Sequence, residues 1–534
     1  MTEPTTFVPL ARARARRLPS CMEMRTAVRP LLVVWTLLAF RADVFALELS
    51  AGQDARPTAG ALMTKPAYPL KVGASNRYLV DRDDTPFLIV GDSPQDLIGK
   101  LSEDEAAAYM ANRATYGINA LWINLLCNDA IGCRSDGGTP DGIVPFAVPN
   151  DLSTPNSAYF QRADDMIRLA EEHGMVVILD PIETIGWLSI LRTNGVSNAY
   201  SYGQYLGNRY RDNPNIIWMH GNDFQSWQSS DDDALVQAVA RGIRHADPNH
   251  LHTVELNYFT SGSLDDLSWQ PLIDISAVYT YFPTYIQILN EYDRANHKPV
   301  FLAEANYEFE HLPNTDGGTP LNLRRQEYWT MLSGAAGQFY GSRNWSFENG
   351  WKTTLNTRGA IELRYMKHLF ARLRWYDLIP DQTHSVTKIG YHWLAECVAK
   401  LTTYLGSYRV SSSVRELFLS FKASTRFGSI ATNTYAATAR TSDGTLVMTY
   451  LPTARAATID MSTLAGTAIA HWFDPTNGSY TSVEGSPFAN KGVRQFSSPG
   501  ANSAGESDWV LLLETPPADY LAPSAPMSQT DNRP

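Results

Sequence analysis

Eight short apolar runs, spaced widely along the chain, constrain its fold more than any other feature. They are Phe87–Val90, Asn119–Asn124, Met175–Leu179, Asn215–Met219, His252–Leu256, Ile275–Tyr279, Pro299–Ala303 and Ala336–Tyr340. Several are continuously apolar rather than alternating, the pattern of parallel strands covered on both faces. Helical patterns lie between most of them. Ser102–Tyr116 opens with Ser-Glu-Asp-Glu and stops before Gly117, and Ala158–His173 is amphipathic and ends at Gly174. Asp231–Ala246 opens on a run of aspartates, which suits the positive end of a helix dipole. Arg324–Ser333 and Ile361–Arg374 complete the set. Such an alternation over about 290 residues predicts a (β/α)8 barrel, an α/β fold, spanning residues 70–382. An open doubly wound sheet is the alternative topology, but no dinucleotide-binding glycine fingerprint accompanies it.

After about Pro380 the texture changes to alternating runs, at Ser429–Ala437, Thr445–Tyr450, Ala457–Asp460 and Trp509–Leu513. Turn residues at Ser442-Asp443-Gly444 and Asp474–Gly478 separate them. Short strands at this spacing predict a C-terminal antiparallel β-sandwich over residues 385–515. The Pro- and Ser-rich residues 516–534 read as a disordered tail.

The first 46 residues differ from the rest. Leu31–Phe40 is an apolar run of ten preceded by Arg25 and Arg29, and Val44-Phe45-Ala46 supplies small residues for signal cleavage. The run is too short to span a bilayer, so residues 1–46 are expected to be a secretory signal with a basic leader, Met22 or Met24 being the true start. The mature protein is then secreted or periplasmic. Removing seven arginines and three acids moves the formal charge from −11 to −15. So acidic a chain argues against nucleic-acid partners and anionic membranes. Cys21 leaves with the leader, and Cys127 and Cys133 either bridge in an oxidising compartment or stand as two thiols beside Cys397. No Cys/His spacing suits zinc and no glycine-rich phosphate loop occurs, so neither a metal nor a cofactor is expected.

In a barrel of this kind, reactive groups collect where strands end. The fourth run exits through His220-Gly221-Asn222-Asp223, and the seventh exits at Glu304. Carboxylates from these two strands can face one another across a central pocket, as glycoside hydrolysis requires. Asp223 is expected as acid/base and Glu304 as an ionised nucleophile. Either residue alone could instead cap a helix or pair with an arginine.

Other stretches are familiar as sequence. Arg77–Asp81, Phe87–Asp92, Tyr116–Leu125, Asn215–Asp223 and Arg324–Gly337 together resemble the apiosidase-like barrel family, which includes glycoside hydrolase family 140. Tyr450-Leu-Pro452 and His471–Gly478 resemble the sandwich that follows that barrel, whose "collagen-binding" label nothing in these residues derives. The resemblance covers roughly residues 70–515. It implies hydrolysis of a glycoside by a carboxylate pair that maps onto Asp223 and Glu304, with a complex polysaccharide or oligosaccharide as substrate. Relatives commonly read Gly-Asp-Thr-Ala-Trp after the first strand, whereas this chain has Gly91-Asp92-Ser93-Pro94-Gln95. An aromatic is thus missing near a subsite, and apiose is only one candidate sugar. The rival readings are a non-catalytic carbohydrate- or matrix-binding protein, and another hydrolase or lyase chemistry on the same barrel.

Neighbouring residues suit supporting roles. Asn222 is a candidate to hold a sugar 2-hydroxyl, Tyr279 or Tyr281 to donate to the nucleophile, and Asp92 to bind two sugar hydroxyls. Asp180 and Glu183 end the third strand and offer a second carboxylate pair. His220 reads as a buried core histidine. Trp187, Trp227, Trp345 and Trp351 fall in loops after the third, fourth and eighth strands, where exposed rings suit sugar faces.

Overall fold

The computed structural model describes residues 65–515, except 227, 257–258, 311–314, 389–392, 408–409 and 426–428. The expected leader, the expected tail and Trp227 lie outside the described residues. Eight strands run parallel around a barrel: β1 (Ile89–Asp92), β2 (Ala120–Asn124), β3 (Val176–Asp180), β4 (Ile216–Phe224), β5 (Leu251–Leu256), β6 (Ser276–Thr280), β7 (Val300–Glu304) and β8 (Gly337–Tyr340). The outer layer holds α1 (Glu103–Thr115), α2 (Ser157–Glu172), α3 (Thr184–Tyr210), α4 (Ser230–Ala246), α5 (Thr284–Tyr292), α6 (Pro320–Leu332) and α7 (Arg358–Ala371). Local sequence sets these helices. Ser102 and Glu105 form a reciprocal capping box at the start of α1, an arrangement worth about 1 kcal/mol. The long α3, absent from the sequence reading, is broken at Gly195, whose φ of 74° no helix interior adopts.

Among the described residues no α-helix joins β5 to β6. A short strand, Thr260–Gly262, pairs antiparallel with β6 and two 3-10 turns follow it. The ring is closed there by side-chain chemistry. The Ser263 hydroxyl donates to Val254 O of β5 at 2.5 Å and accepts the Ala277 N–H of β6 at 2.8 Å.

Alternate strand residues face opposite ways. Ile89, Trp122, Ile178, Met219, Phe301 and Phe339 fill the barrel, and Val90, Ile123, Leu179 and Trp218 meet the helices. That parity also turns Asn124, Asp180, Glu255 and Tyr279 inward, at or near the ends of their strands. Cys127 and Cys133 form a disulfide, Cα atoms 5.7 Å apart, in the loop leaving β2.

The C-terminal part is a two-layer sandwich. Its larger sheet contains β9 (Leu378–Pro380), β11 (Ala437–Thr441), β12 (Leu446–Leu451), β14 (Ile469–Phe473), β15 (Tyr480–Ser482) and β17 (Trp509–Glu514). Its smaller sheet contains β10 (Thr387–Lys388), β13 (Ala456–Asp460) and β16 (Val493–Ser497). Two helices, α8 (Trp393–Gly406) and α9 (Ser412–Thr425), separate β10 from β11 and were not read from the sequence. The strand expected over 429–437 begins only at Ala437.

Sandwich and barrel share an apolar interface in which Tyr328 of α6 stacks on Tyr450 of β12, centroids 5.0 Å apart. Beside it Arg324, fully buried, clasps Asp508 through two hydrogen bonds of 2.8 Å and also meets Glu362 and Glu506. Among the described residues no helix is long and apolar enough to cross a membrane.

Candidate active site

The site is built on an irregularity at the end of β4. The register against β5 shifts between His220 and Phe224, because Gly221, Asn222 and Asp223 all leave the extended conformation. Their φ values are 112°, 62° and 57°, a left-handed stretch that costs energy at the two residues bearing side chains. Gly221 is required by space as well, since a Cβ there would lie 2.2 Å from the Glu255 carbonyl oxygen. Thr184 Oγ1 anchors the turn by donating to Asn222 O at 2.8 Å. The Asp223 N–H donates to Glu255 Oε2 at 3.3 Å.

A second irregularity, between Val278 and Tyr279 of β6, sets Tyr279 opposite Glu304. Glu304 accepts hydrogen bonds from Tyr281 at 3.0 Å on Oε1 and from Tyr307 at 2.8 Å on Oε2. The Tyr279 hydroxyl donates to the Tyr281 hydroxyl at 3.5 Å, and this buried phenol acts on both Asp223 and Glu304, lowering the pKa of each. A polar chain closes the circuit: Asn222 Nδ2 donates to Gln95 Oε1 at 3.1 Å, and Gln95 Nε2 donates to the Tyr307 hydroxyl at 3.2 Å. The structure therefore brings together Asp223, Glu304, Asn222, Tyr279 and Tyr281, as well as Glu255, Tyr307 and Gln95, which sequence reasoning missed. Inward parity on β5 would have selected Glu255, but nothing local marks Gln95 or Tyr307.

Burial dominates the electrostatics. It pushes the Asp223 carboxyl up to about 6, against the pull of the Tyr279 hydroxyl. Burial, then the Asp223 charge, pushes Glu304 up to about 8, opposed by Tyr279 and Tyr307. The expectation of a simply ionised Glu304 is thus corrected: its donors favour the charged form, but burial beside other carboxyls outweighs them. Glu255 is raised well above the carboxylate range, by burial first and then by Glu304 and Asp223.

Several expected site residues lie elsewhere. Asp92 points outward from β1 and is locked by Arg113 Nε at 2.5 Å and by Tyr109, so it takes no sugar hydroxyls. Trp187 is 1% exposed and packs on Phe146, so it offers no platform. Glu183 is spent as the cap of α3, accepting the Gly186 N–H at 2.8 Å, which dissolves the second carboxylate pair. Asp180 faces inward with Oδ2 unpartnered. His220 stacks on His252 and Trp269 in the outer core, and burial pushes its pKa down to about 3. Trp351 packs on Tyr109 and Phe347. Trp345 remains half-buried at the rim, its indole N–H donating to Glu310 Oε1 at 2.5 Å.

Among the described residues, one compact set has metal-ligand character, namely Asp96, Cys127 and Cys133, and both sulfurs are spent in the disulfide. A crevice of about 450 Å³ at the other end of the barrel, lined by Arg77, Tyr78, Tyr292 and Trp375 among others, presents no buried polar atom without a partner.

Carboxyls gathered at the C-terminal end of a (β/α)8 barrel suit glycoside hydrolysis, and its family match makes this chain an enzyme of that class acting on carbohydrate. Residues 74–377 match the model described as "Apiosidase-like, catalytic domain", and the chain belongs to that family. Residues 428–514 match the model for a collagen-binding domain of a collagenase. A solved structure described as a glycoside hydrolase superposes with a TM-score of 0.66 at 22% identity, covering 84% of this chain and 97% of its own. A glycoside hydrolase family 5 protein from Bacteroides vulgatus gives 0.66 at 20% identity, covering 83% and 93%. Likeness at these identities concerns the fold. No curated protein matches the chain.

Proposed function

We propose that the enzyme hydrolyses a glycosidic bond of a complex polysaccharide or oligosaccharide with retention of configuration, Asp223 serving as acid/base and Glu304 as nucleophile. The observation that carries this reading is the buried pair itself, in which the Asp223 charge raises the pKa of Glu304 and one phenol, Tyr279, acts on both carboxyls. Retaining enzymes hold their carboxyls about 5–5.5 Å apart, against about 6.5–9.5 Å for inverting ones, and the strong charge effect of Asp223 on Glu304 suits the closer spacing. Both carboxyls are raised, so near neutral pH the pair holds a single proton.

In the first step Asp223 gives that proton to the leaving oxygen while Glu304 attacks the anomeric carbon. The glycosidic C–O bond breaks and an ester to Glu304 forms. The step starts from the form in which the shared proton sits on Asp223. Tyr281 and Tyr307 stabilise the charged Glu304 in that form, against the burial that makes Glu304 the more basic of the two at rest. In the second step Asp223 takes a proton from water, the oxygen attacks the anomeric carbon, and Glu304 departs as carboxylate. In this reading Asn222 meets a sugar hydroxyl and Trp345 carries a sugar face at the rim. Export belongs to the same reading, and the exported protein should begin within a few residues of Leu47.

A panel of plant and bacterial glycans, with the first-formed anomer followed by proton NMR, tests the proposal. Retained configuration supports it, and an inverted first product overturns it.

A further inference from the structure

The two-step reaction makes no use of Glu255, yet this residue shapes the acid/base more directly than any other. It ends β5 facing into the barrel and is 1% exposed. Its Oε2 accepts the Asp223 backbone N–H at 3.3 Å, and its own carbonyl oxygen is what forbids a side chain at position 221. Side chain and main chain of one residue thus mould the left-handed turn that carries Asp223. Its other oxygen, Oε1, is buried and has no partner. The charged groups acting on it are Glu304 of β7, Asp223 of β4 and Asp180 of β3, with the neutral Tyr279 phenol on β6, and none is a cation.

A carboxylate left unpaired in such a place is costly, whereas a carboxylic acid needs only one acceptor and one donor partner. We infer that Glu255 is a positioning residue held as a neutral carboxylic acid, its carbonyl oxygen fixing the Asn222–Asp223 turn and its Oε1–H donating to a group brought into the pocket. The inference rests on Asp223 being the acid/base. Burial and the surrounding carboxyls, which disfavour the ionised form, support the protonation independently of that role.

The test pairs Glu255→Gln with Glu255→Ala and adds an infrared measurement. Glutamine keeps an acceptor and a donor without charge, so it should recover most of the kcat/KM that alanine loses, with both limbs of the pH profile unmoved. Alanine abandons the Asp223 N–H. It should cost about 100-fold on glycosides with poor leaving groups and under about tenfold on activated aryl glycosides, because only the former need the proton. A general structural lesion would lower both alike, which would overturn the positioning role. The wild-type minus Glu255→Gln infrared difference at neutral pH should lose a protonated-carboxyl band. Loss of a carboxylate band, or a pH profile displaced toward acid in the glutamine variant, would show a negative charge removed and overturn the inference. The infrared arm does not depend on turnover, so it stands or falls apart from the assignment of Asp223, and it decides the matter even where the alanine variant fails to fold.

Discussion

Asp223 raises the pKa of Glu304 through its charge, though one carboxyl comes from β4 and the other from β7, and the buried Tyr279 phenol acts on both. That coupling governs pH dependence. The pair's values are pushed up to about 6 and about 8, and they belong to the pair rather than to either residue. Below the lower value both carboxyls carry protons and no nucleophile remains; above the upper value both are ionised and no acid remains. The profile of kcat/KM should therefore be bell-shaped with its maximum between them. Tyr279→Phe removes the hydroxyl that lowers both values, so both limbs should move to higher pH. A profile still flat well below the lower value would contradict this.

Gly221→Ala should be severe. The position has a φ of 112°, and the added methyl would lie 2.2 Å from the Glu255 carbonyl oxygen. Strain of this kind costs about 1–3 kcal/mol, and relief would displace Asp223. A lowered denaturant midpoint together with a large fall in kcat is expected; near-normal turnover would show that the turn is not needed.

Much of this was legible in the sequence. Continuous apolar runs separated by helical patterns fix a parallel barrel, and the strand-end rule selects Asp223 and Glu304 from the chain's many acids. What escaped has physical causes. The β5–β6 connection is closed by a serine hydroxyl, which no periodicity signals. Gln95 and Tyr307 reach the site from loops, where side-chain direction has no period. Asp92 was misread because parity on β1 turns it outward to Arg113, and Trp187 because a large loop aromatic can as easily be core as platform.

The two tryptophans give contrasting expectations. Trp345→Ala, at the half-buried rim, should raise KM about tenfold and leave kcat and stability nearly unchanged. Trp187→Ala, at a site 1% exposed, should instead destabilise the fold by about 3–5 kcal/mol. Urea unfolding and substrate saturation curves separate the two effects.

Arg324 tests the barrel–sandwich junction. Its removal leaves Asp508 buried without its cation, which costs about 3–5 kcal/mol. Arg324→Ala should lower the unfolding midpoint strongly. Arg324→Lys should recover only part of the loss, because an ammonium cannot reproduce two parallel bonds to one carboxylate. Equal midpoints for wild type and alanine variant would show that the cluster contributes nothing to docking.

The division of labour between the two carboxyls is tested most directly by azide rescue of Asp223→Asn on an activated aryl glycoside. Without the acid the first step still proceeds and the ester to Glu304 accumulates, while Glu304→Gln forms no ester on any substrate. Azide needs no base to attack that ester. The account predicts that turnover of the Asp223 variant rises with azide and that NMR finds a glycosyl azide of retained configuration. An azide product of inverted configuration, or no rescue, would contradict it.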